Sequence, residues 1–200
     1  MTLVTQAMIF AAEKHDGAVR KGSDIPYIVH PMEAAAIAAT ITDDQEILAA
    51  AALHDVMEDC GVTYEELRER FGERVARIVR EDSQCQSDAR GARAPWSVRK
   101  RAAVEKLAGY DRDAKLIVLA DKLSNIRAMY RDFSRDGVAM FAKFNHSDMR
   151  AHAWYYRSCT AHVKAEFGDT SAWRELNALV EFVFDGVQSV APEQIDSIGG

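Results

Sequence analysis

Residues 48–59 read LAAAALHDVMED, and this stretch decides how the rest of the chain is interpreted. Its first part is apolar nearly all round, which is typical of a helix buried in a protein core. Four polar groups follow at the carboxyl end: His54, Asp55, Glu58 and Asp59. Buried carboxylates are costly unless a cation compensates them, and the helix dipole also disfavours negative charge at this end. The stretch therefore predicts a core helix over Gln45–Asp59 whose end faces a compensating positive charge.

The spacing of these groups indicates which kind of cation compensates them. His54 and Glu58 are four residues apart, as are Asp55 and Asp59, so each pair shares one face of a helix. His54 and Asp55 point about 100° apart, which lets an imidazole nitrogen and a carboxylate oxygen flank one ion. This mixed donor set suits a borderline divalent metal such as manganese, iron or zinc. The alternative is an exposed helix end with solvated charges, since two ligands alone hold an ion poorly.

Two other segments offer the missing ligands. Asp121 interrupts the apolar helical run LIVLADKL at residues 116–123, and Asn125 follows one turn later. His30 precedes Pro31, at the predicted start of another helix, where its side chain is free of the helical ladder. With His54 and Asp55, these residues would supply two nitrogens and at least two oxygens to one metal.

The remaining sequence has helical periodicity nearly throughout, without an alternating β run of convincing length. We predict a single all-α domain of about eight to ten helices over residues 1–186, followed by a flexible tail at 187–200. Besides Gln45–Asp59, the predicted helices include Met32–Thr42, Ser97–Leu107, Asp148–Phe167, Ser171–Asp185, and others capped by Thr63 and Asp113. Residues 81–95 are predicted to form a loop.

Composition limits the possible partners. The 25 Lys and Arg residues against 31 Asp and Glu residues give a net charge of −6, which argues against nucleic acid or an anionic membrane as the main partner. A local basic pocket is still compatible with this charge. Three cysteines without a C-x-x-C pair favour a reducing compartment. Because no signal peptide or apolar run of about 18 residues occurs, we expect a cytoplasmic protein.

Several motifs occur in one order along the chain: Arg20-Lys21, PYIVHP at 26–31, AALHDVMED at 51–59, Phe71-Gly72 and LADKLSN at 119–125. From about Ala7 to Tyr156 the chain resembles the HD-domain hydrolases of the RelA/SpoT group, in particular the stand-alone small alarmone hydrolases of the Mesh1-like type. The resemblance implies an all-helical HD-domain fold with one divalent metal, usually Mn2+. It also implies a guanosine-3′,5′-bis(diphosphate) 3′-pyrophosphohydrolase, which removes the 3′-pyrophosphate from ppGpp and pppGpp.

The same resemblance assigns roles to individual residues. His30, His54, Asp55 and Asp121 would bind the metal, and Glu58 with Asp59 would activate the attacking water. The positions that line the nucleotide site would be Arg20, Lys21, Tyr27 and Asn125. Many relatives carry a Thr-Asp-Asp-type stretch after the position of Val79, whereas this chain has a different loop there, so the identity of the nucleotide stays open.

Alternative functions are compatible with the same motifs. One is an HD-domain phosphohydrolase that acts on another small-molecule nucleotide, such as ppApp or NADPH. Another is a non-catalytic alarmone-binding sensor, although an acidic pair suited to activating water argues against it. The run Arg99-Lys100-Arg101 is expected to be a solvated face or, alternatively, to reach a distal phosphate. Aromatic residues at helical intervals near the carboxyl end are expected to serve the core or, in a homodimer, the subunit contacts.

Overall fold

The computed structural model describes residues 1–83, 94–190 and 194. These residues form helices and turns with one isolated β-bridge, Val19 to Pro26, and no β-strand occurs among them. The helices are α1 Leu3–Lys14, α2 Val29–Ala38, α3 Gln45–Leu53, α4 Val56–Cys60, α5 Tyr64–Phe71, α6 Glu73–Asp82, α7 Trp96–Leu107, α8 Arg112–Asp136, the 3-10 helix η1 Gly137–Lys143, α9 Met149–His162, α10 Lys164–Phe167 and α11 Ser171–Val183. The predicted all-α class is confirmed.

The core is built around α3 and α8. Helix α3 packs against α1, α2 and α6, and α8 packs against α2 and α11. Every residue from Ala49 to Leu53 is fully buried, in agreement with the apolar surface that the sequence gives this helix. Because α8 is 25 residues long, it spans the domain and brings its middle, around Asp121, next to α2 and α3.

The predicted helix over Gln45–Asp59 is interrupted at His54 and Asp55. Helix α3 ends at Leu53, and α4 begins at Val56 and ends at Cys60. Gly61 caps α4, and its φ of 68° favours glycine. Within the break, His54 Nδ1 lies 2.8 Å from the carbonyl oxygen of Ala51. The prediction of one continuous helix is therefore wrong. The acidic pair lies in the first turn of α4, where the helix dipole favours negative charge rather than opposing it.

Other boundaries also differ from the prediction. Helix α2 begins at Val29, so His30 lies inside its first turn rather than before it. Pro31 permits this extension because its missing N–H has no helical partner in the first turn. The N-cap of α8 is Asp111, which accepts a hydrogen bond from the Ala114 N–H, rather than Asp113. Thr63 caps α5 as predicted, accepting from the Glu66 N–H at 3.1 Å.

Two further predictions fall at the edges of the described chain. Most of the predicted loop, residues 84–93, lies outside the described residues, as does most of the predicted tail beyond Val190. The first tail residues are held by Arg157, whose guanidinium donates to the Val187 carbonyl at 2.7 Å and to Ser189 Oγ at 3.0 Å. Among the helices that the structure describes, none combines the length and the apolar character needed to cross a bilayer.

Candidate metal centre

Three segments of the fold bring the sequence-predicted metal ligands to one point inside the protein. His30 comes from α2, His54 and Asp55 from the junction of α3 and α4, and Asp121 from the middle of α8. Three of these residues are buried: His30 is 3% exposed, His54 is 1% exposed and Asp121 is 7% exposed. One ligand atom from each of His30, His54 and Asp121 lies within 4.8 Å of the other two.

The ligand atoms are close enough to share one ion. The two histidine Nε2 atoms are 3.2 Å apart, and His30 Nε2 is 3.2 Å from Asp121 Oδ1. Asp55 Oδ2 lies 3.4 Å from His30 Nε2 and 3.0 Å from His54 Nε2. The same carboxylate oxygen accepts a hydrogen bond from the Tyr27 hydroxyl at 2.7 Å, which fixes its orientation. Two nitrogens and two carboxylates therefore surround a common volume.

Hydrogen bonds on the outer side of the imidazoles determine which atoms face this volume. A carbonyl oxygen only accepts, so His54 Nδ1 carries the hydrogen in its contact with Ala51. His30 Nδ1 is likewise engaged, at 2.8 Å from Ser124 Oγ. Both Nε2 atoms are thus turned inward. Metal-binding histidines in proteins commonly have their second nitrogen held in this way.

The electrostatics of the cluster favour a positive charge at its centre. Burial by itself disfavours the charged form of His54, but the Asp55 and Asp121 carboxylates outweigh this effect and raise the pKa of His54 well above its ordinary value. Burial likewise opposes ionisation of Asp55, yet its histidine neighbours hold the pKa of this carboxyl well below its usual range. The carboxylates and imidazoles thus favour a positive charge at the point where they meet. Because a metal competes with protons for the same lone pairs, a divalent cation fits this donor set.

A cavity of about 310 Å³ opens in front of these ligands. Glu58 and Asp59, the pair for which the resemblance implies a role in activating water, line this cavity. Loss of hydration in the cavity wall and the charge of Asp55 raise the pKa of Asp59. The same wall carries four cationic side chains: Lys21, Arg99, Lys100 and Lys122. Anions that enter the cavity would therefore meet positive charge beside the acidic pair.

A second cavity of about 260 Å³ shares Lys21, Tyr27, His30, Asn125 and Phe144 with the first. Its wall is also basic. The additional cationic side chains are Arg20, Arg131, Arg135 and Lys143, against the acidic side chains of Glu33 and Asp132. A local positive region thus exists in a chain of net charge −6, as the composition allowed. Because five residues line both cavities, the two adjoin as one depression whose basic wall suits an anion.

The residues expected to line the nucleotide site all border this depression. Arg20 Nη2 donates to Asn125 Oδ1 at 2.7 Å, and its guanidinium lies 5.5 Å from the centre of the Tyr27 ring. The Asn125 amide in turn donates to Asp121 Oδ1. Lys21 Nζ donates to Asn145 Oδ1 at 2.5 Å. Through Asn125, Arg20 is thus connected to Asp121, one of the predicted metal ligands.

Sequence reasoning missed part of the site. Lys122 is 8% exposed and pairs with Asp121, and Asp82 lies close enough that burial and the Asp121 charge raise the pKa of its carboxyl to about 7. The expectation of a solvated face at residues 99–101 is wrong for Arg99, which is 7% exposed. Burial and the nearby Lys122 lower the pKa of Lys100 to about 8. The sequence did contain a signal for Lys122, because a lysine in the apolar run 116–123 is a buried charge that needs a partner, as Asp121 is.

Comparison with known proteins gives consistent matches. A family model described as HD domain matches residues 7–148. The guanosine-3′,5′-bis(diphosphate) 3′-pyrophosphohydrolase of Aquifex aeolicus is 49% identical over 76 residues, which cover 38% of this chain and 11% of that protein. The protein of that name from Xenopus tropicalis, MESH1, is 40% identical over 133 residues, which cover 64% of this chain and 70% of that protein. The solved structure of a metazoan ortholog of SpoT, described as hydrolysing ppGpp, has a TM-score of 0.73 at 25% identity and covers 91% of this chain and 96% of that chain.

Proposed function

The chain belongs to the HD domain family, as its motifs predicted, and on this premise we propose that it is a metal-dependent phosphohydrolase that removes the 3′-pyrophosphate from ppGpp and pppGpp. The observation that carries the proposal is the convergence of two imidazole nitrogens and two carboxylates beside a cavity that contains both an acidic pair and a group of cations. The first set suits a metal, the second suits water activation, and the third suits phosphate.

We propose His30, His54, Asp55 and Asp121 as the metal ligands, and Mn2+ as the metal. Two nitrogen and two oxygen donors suit a borderline divalent ion, and carboxylate-rich sets favour manganese over softer metals. When bound, such an ion lowers the pKa of coordinated water and polarises a phosphoryl oxygen. Tyr27 and Asn125 then act as outer partners, because each donates a hydrogen bond to one of the two ligating carboxylates.

Glu58 is proposed as the group that takes a proton from the attacking water. It lies in the first turn of α4, three residues after Asp55, so it shares a wall of the cavity with the ligands. Asp59 follows it and would orient the water or share the proton. Water oxygen bonds to the phosphorus attached to the ribose O3′, the bond from that phosphorus to O3′ breaks, and a proton passes to O3′. The products are GDP or GTP and pyrophosphate.

The cations of the two cavities are proposed to bind the phosphates. Lys100 and Arg99 lie on α7 and Lys122 on α8, so the 3′-pyrophosphate would be held between two helices. Arg20 and Lys21 would contact the nucleoside side, where a planar guanidinium can stack on a base or bind phosphate in a bidentate manner. Since the chain is acidic as a whole, this local concentration of cations is what would attract a polyanionic substrate.

A reducing, cytoplasmic location is part of the proposal. Cys60 and Cys159 are both free thiols, and Cys159 is buried in the core. Unpaired thiols at these two described positions are compatible with a reducing compartment, in which nucleotides of this kind are available.

The test is a turnover assay with added manganese over ppGpp, pppGpp, ppApp and NADPH, with every product identified. We expect pyrophosphate from ppGpp, and a fall of about 10²–10⁴-fold in turnover for Glu58→Gln, with manganese binding unchanged. Glu46→Gln is the matched control, because Glu46 pairs with Arg74 on the surface and does not line the cavity. Its turnover should equal that of the wild type.

Two results would overturn the proposal. Tight binding of ppGpp without turnover at saturating manganese would identify a sensor rather than an enzyme. Release of inorganic phosphate from NADPH, with ppGpp left intact, would keep the metal centre but replace the substrate.

A further inference from the structure

A series of hydrogen bonds behind His30 has no role in the predicted site or in the comparisons with known proteins. We propose that Glu33 and Ser124 are positioning residues that fix the tautomer of His30, and that Arg127 holds Glu33 in place for this purpose. The inference rests on the metal centre proposed above, and it concerns how this chain keeps one of the ligands ready to bind.

The direction of the hydrogen bonds follows from the chemistry of the groups. Ser124 Oγ lies 2.7 Å from Glu33 Oε2, and a carboxylate accepts only, so the one hydroxyl hydrogen of Ser124 points to Glu33. At its contact with His30 Nδ1, 2.8 Å away, Ser124 Oγ must then accept. The hydrogen therefore lies on His30 Nδ1, and the lone pair lies on Nε2, which faces His54 and Asp121.

The carboxylate of Glu33 is held on both of its oxygens. Arg127 Nη1 donates to Glu33 Oε1 at 3.1 Å, while Ser124 occupies Oε2. Arg127 itself is fixed by Glu175 of α11, to which Nε and Nη2 both donate at 2.7 Å. Because the guanidinium is planar, this bidentate contact determines where Nη1 points. Glu33 is thus prevented from rotating away from Ser124.

Helical spacing places the groups of this arrangement on shared helix faces. On α2, His30 and Glu33 are three residues apart and share one face. On α8, Asp121 and Ser124 have the same separation, and Arg127 follows after three more residues. Each helix thus contributes one proposed ligand followed at helical spacing by supporting groups, Glu33 on α2 and Ser124 and Arg127 on α8. Ser124 is 1% exposed, so water cannot easily replace it in this role.

The variant Glu33→Gln separates a positioning role from simple packing, because glutamine has nearly the same shape. Arg127 Nη1 is a donor, so it would attract the amide oxygen and leave the amide NH2 facing Ser124. Ser124 would then accept from the amide and donate its hydrogen to His30 Nδ1. The histidine hydrogen would move to Nε2, where it would point into the metal site and block the lone pair. Ser124→Ala, in contrast, removes the hydrogen bond to His30 Nδ1 without reversing its direction.

The experiment measures manganese affinity by EPR titration and the His30 tautomer by ¹H–¹⁵N NMR of the imidazole nitrogens. We expect Glu33→Gln to weaken manganese binding by about 10–100-fold, with the hydrogen shifted to Nε2. Ser124→Ala should weaken binding less. The double variant should bind manganese like Ser124→Ala alone, because the glutamine cannot reach His30 without the hydroxyl. Glu166→Gln is the matched control, since Glu166 also accepts a hydrogen bond from a cation of α8, Lys115 at 2.6 Å, and neither residue lines the two cavities.

Each outcome has a defined meaning. Wild-type affinity in Glu33→Gln, an unchanged His30 tautomer, or simple additivity in the double variant would overturn the positioning role. Failure of the wild-type protein to bind any divalent metal would instead overturn the proposed function. Ser124→Ala only removes an oxygen atom, so it keeps the question answerable by the same two measurements if Glu33→Gln does not fold.

Discussion

Replacing Asp121 by asparagine should have two separable effects, one on the metal-free protein and one on its response to manganese. Asp121 and Lys122 are 7% and 8% exposed and form an ion pair. Removing one partner of a buried pair leaves the other charge uncompensated and costs about 3–5 kcal/mol of unfolding free energy. For a chain of 200 residues the unfolding entropy is about 0.4 kcal/mol/K, so the melting temperature should fall by about 7–12 °C.

The second effect is the loss of metal-linked stabilisation. A ligand at 100 times its dissociation constant stabilises the folded state by about 2.7 kcal/mol, which for the same entropy is a rise of about 6 °C. Wild-type protein should show this rise with manganese, and Asp121→Asn should show none. Thermal melting and urea denaturation, each with manganese and with a chelator, measure both quantities on the same samples.

A matched substitution on the same helix provides the control. Asp113 also lies on α8 and accepts from Arg74 at 2.7 Å, but its side chain is partly exposed and Arg74 keeps Asp44 and Glu46 as partners. Asp113→Asn should therefore cost at most about 1 kcal/mol and keep the manganese response. The reasoning is refuted if Asp121→Asn still responds to manganese, or if the two variants lose the same stability.

Two further predictions concern groups outside the ligand set. His152 is 5% exposed, and burial lowers its pKa to about 4, so below pH 6.5 the unfolded chain binds more protons than the folded protein. The unfolding free energy should therefore fall by up to about 3 kcal/mol between pH 6.5 and 4. Urea titrations over this range should show a flatter pH profile for His152→Phe than for the wild type. Lys100→Met should raise the KM for ppGpp by about tenfold or more, because Lys100 lines the cavity and its charge would bind phosphate. Manganese affinity measured by EPR should stay unchanged, because Lys100 is not among the proposed ligands. An equal loss of affinity for ppGpp and for manganese would contradict its phosphate role.

Much of the fold, and the polar side chains that converge inside it, could be predicted because buried charge is rare in apolar helices. Asp121 stands out in the run 116–123 for this reason, and so does the end of the stretch around His54. The all-α class followed from periodicity alone. Helix boundaries were less accessible, since two aspartates close together, such as Asp111 and Asp113, are equally good caps by composition. Only the final geometry decides which carboxylate reaches the free N–H groups.

Contacts between distant segments are what the sequence could not supply. In the sequence Lys100 and Arg99 resemble surface residues, because nothing in their neighbours shows that α7 borders the cavity in front of the proposed ligands. Glu33 and Ser124 are ordinary helix residues until α2 and α8 are placed side by side, when their side chains meet at 2.7 Å. A polar group can thus be recognised as unusual from sequence, whereas its partner, on another helix, is identified by packing.

The interruption at His54 and Asp55 explains how one helix can serve both core and site. In a continuous helix, neighbouring side chains diverge by about 100°, and carboxylates at the end would oppose the dipole. Because the chain breaks after Leu53, His54 Nε2 and Asp55 Oδ2 approach to 3.0 Å and the acidic pair starts a new helix. Ala49–Leu53 remain fully buried and hold the break in position. Rigid packing on one side of the junction is therefore what allows four polar groups to converge on the other.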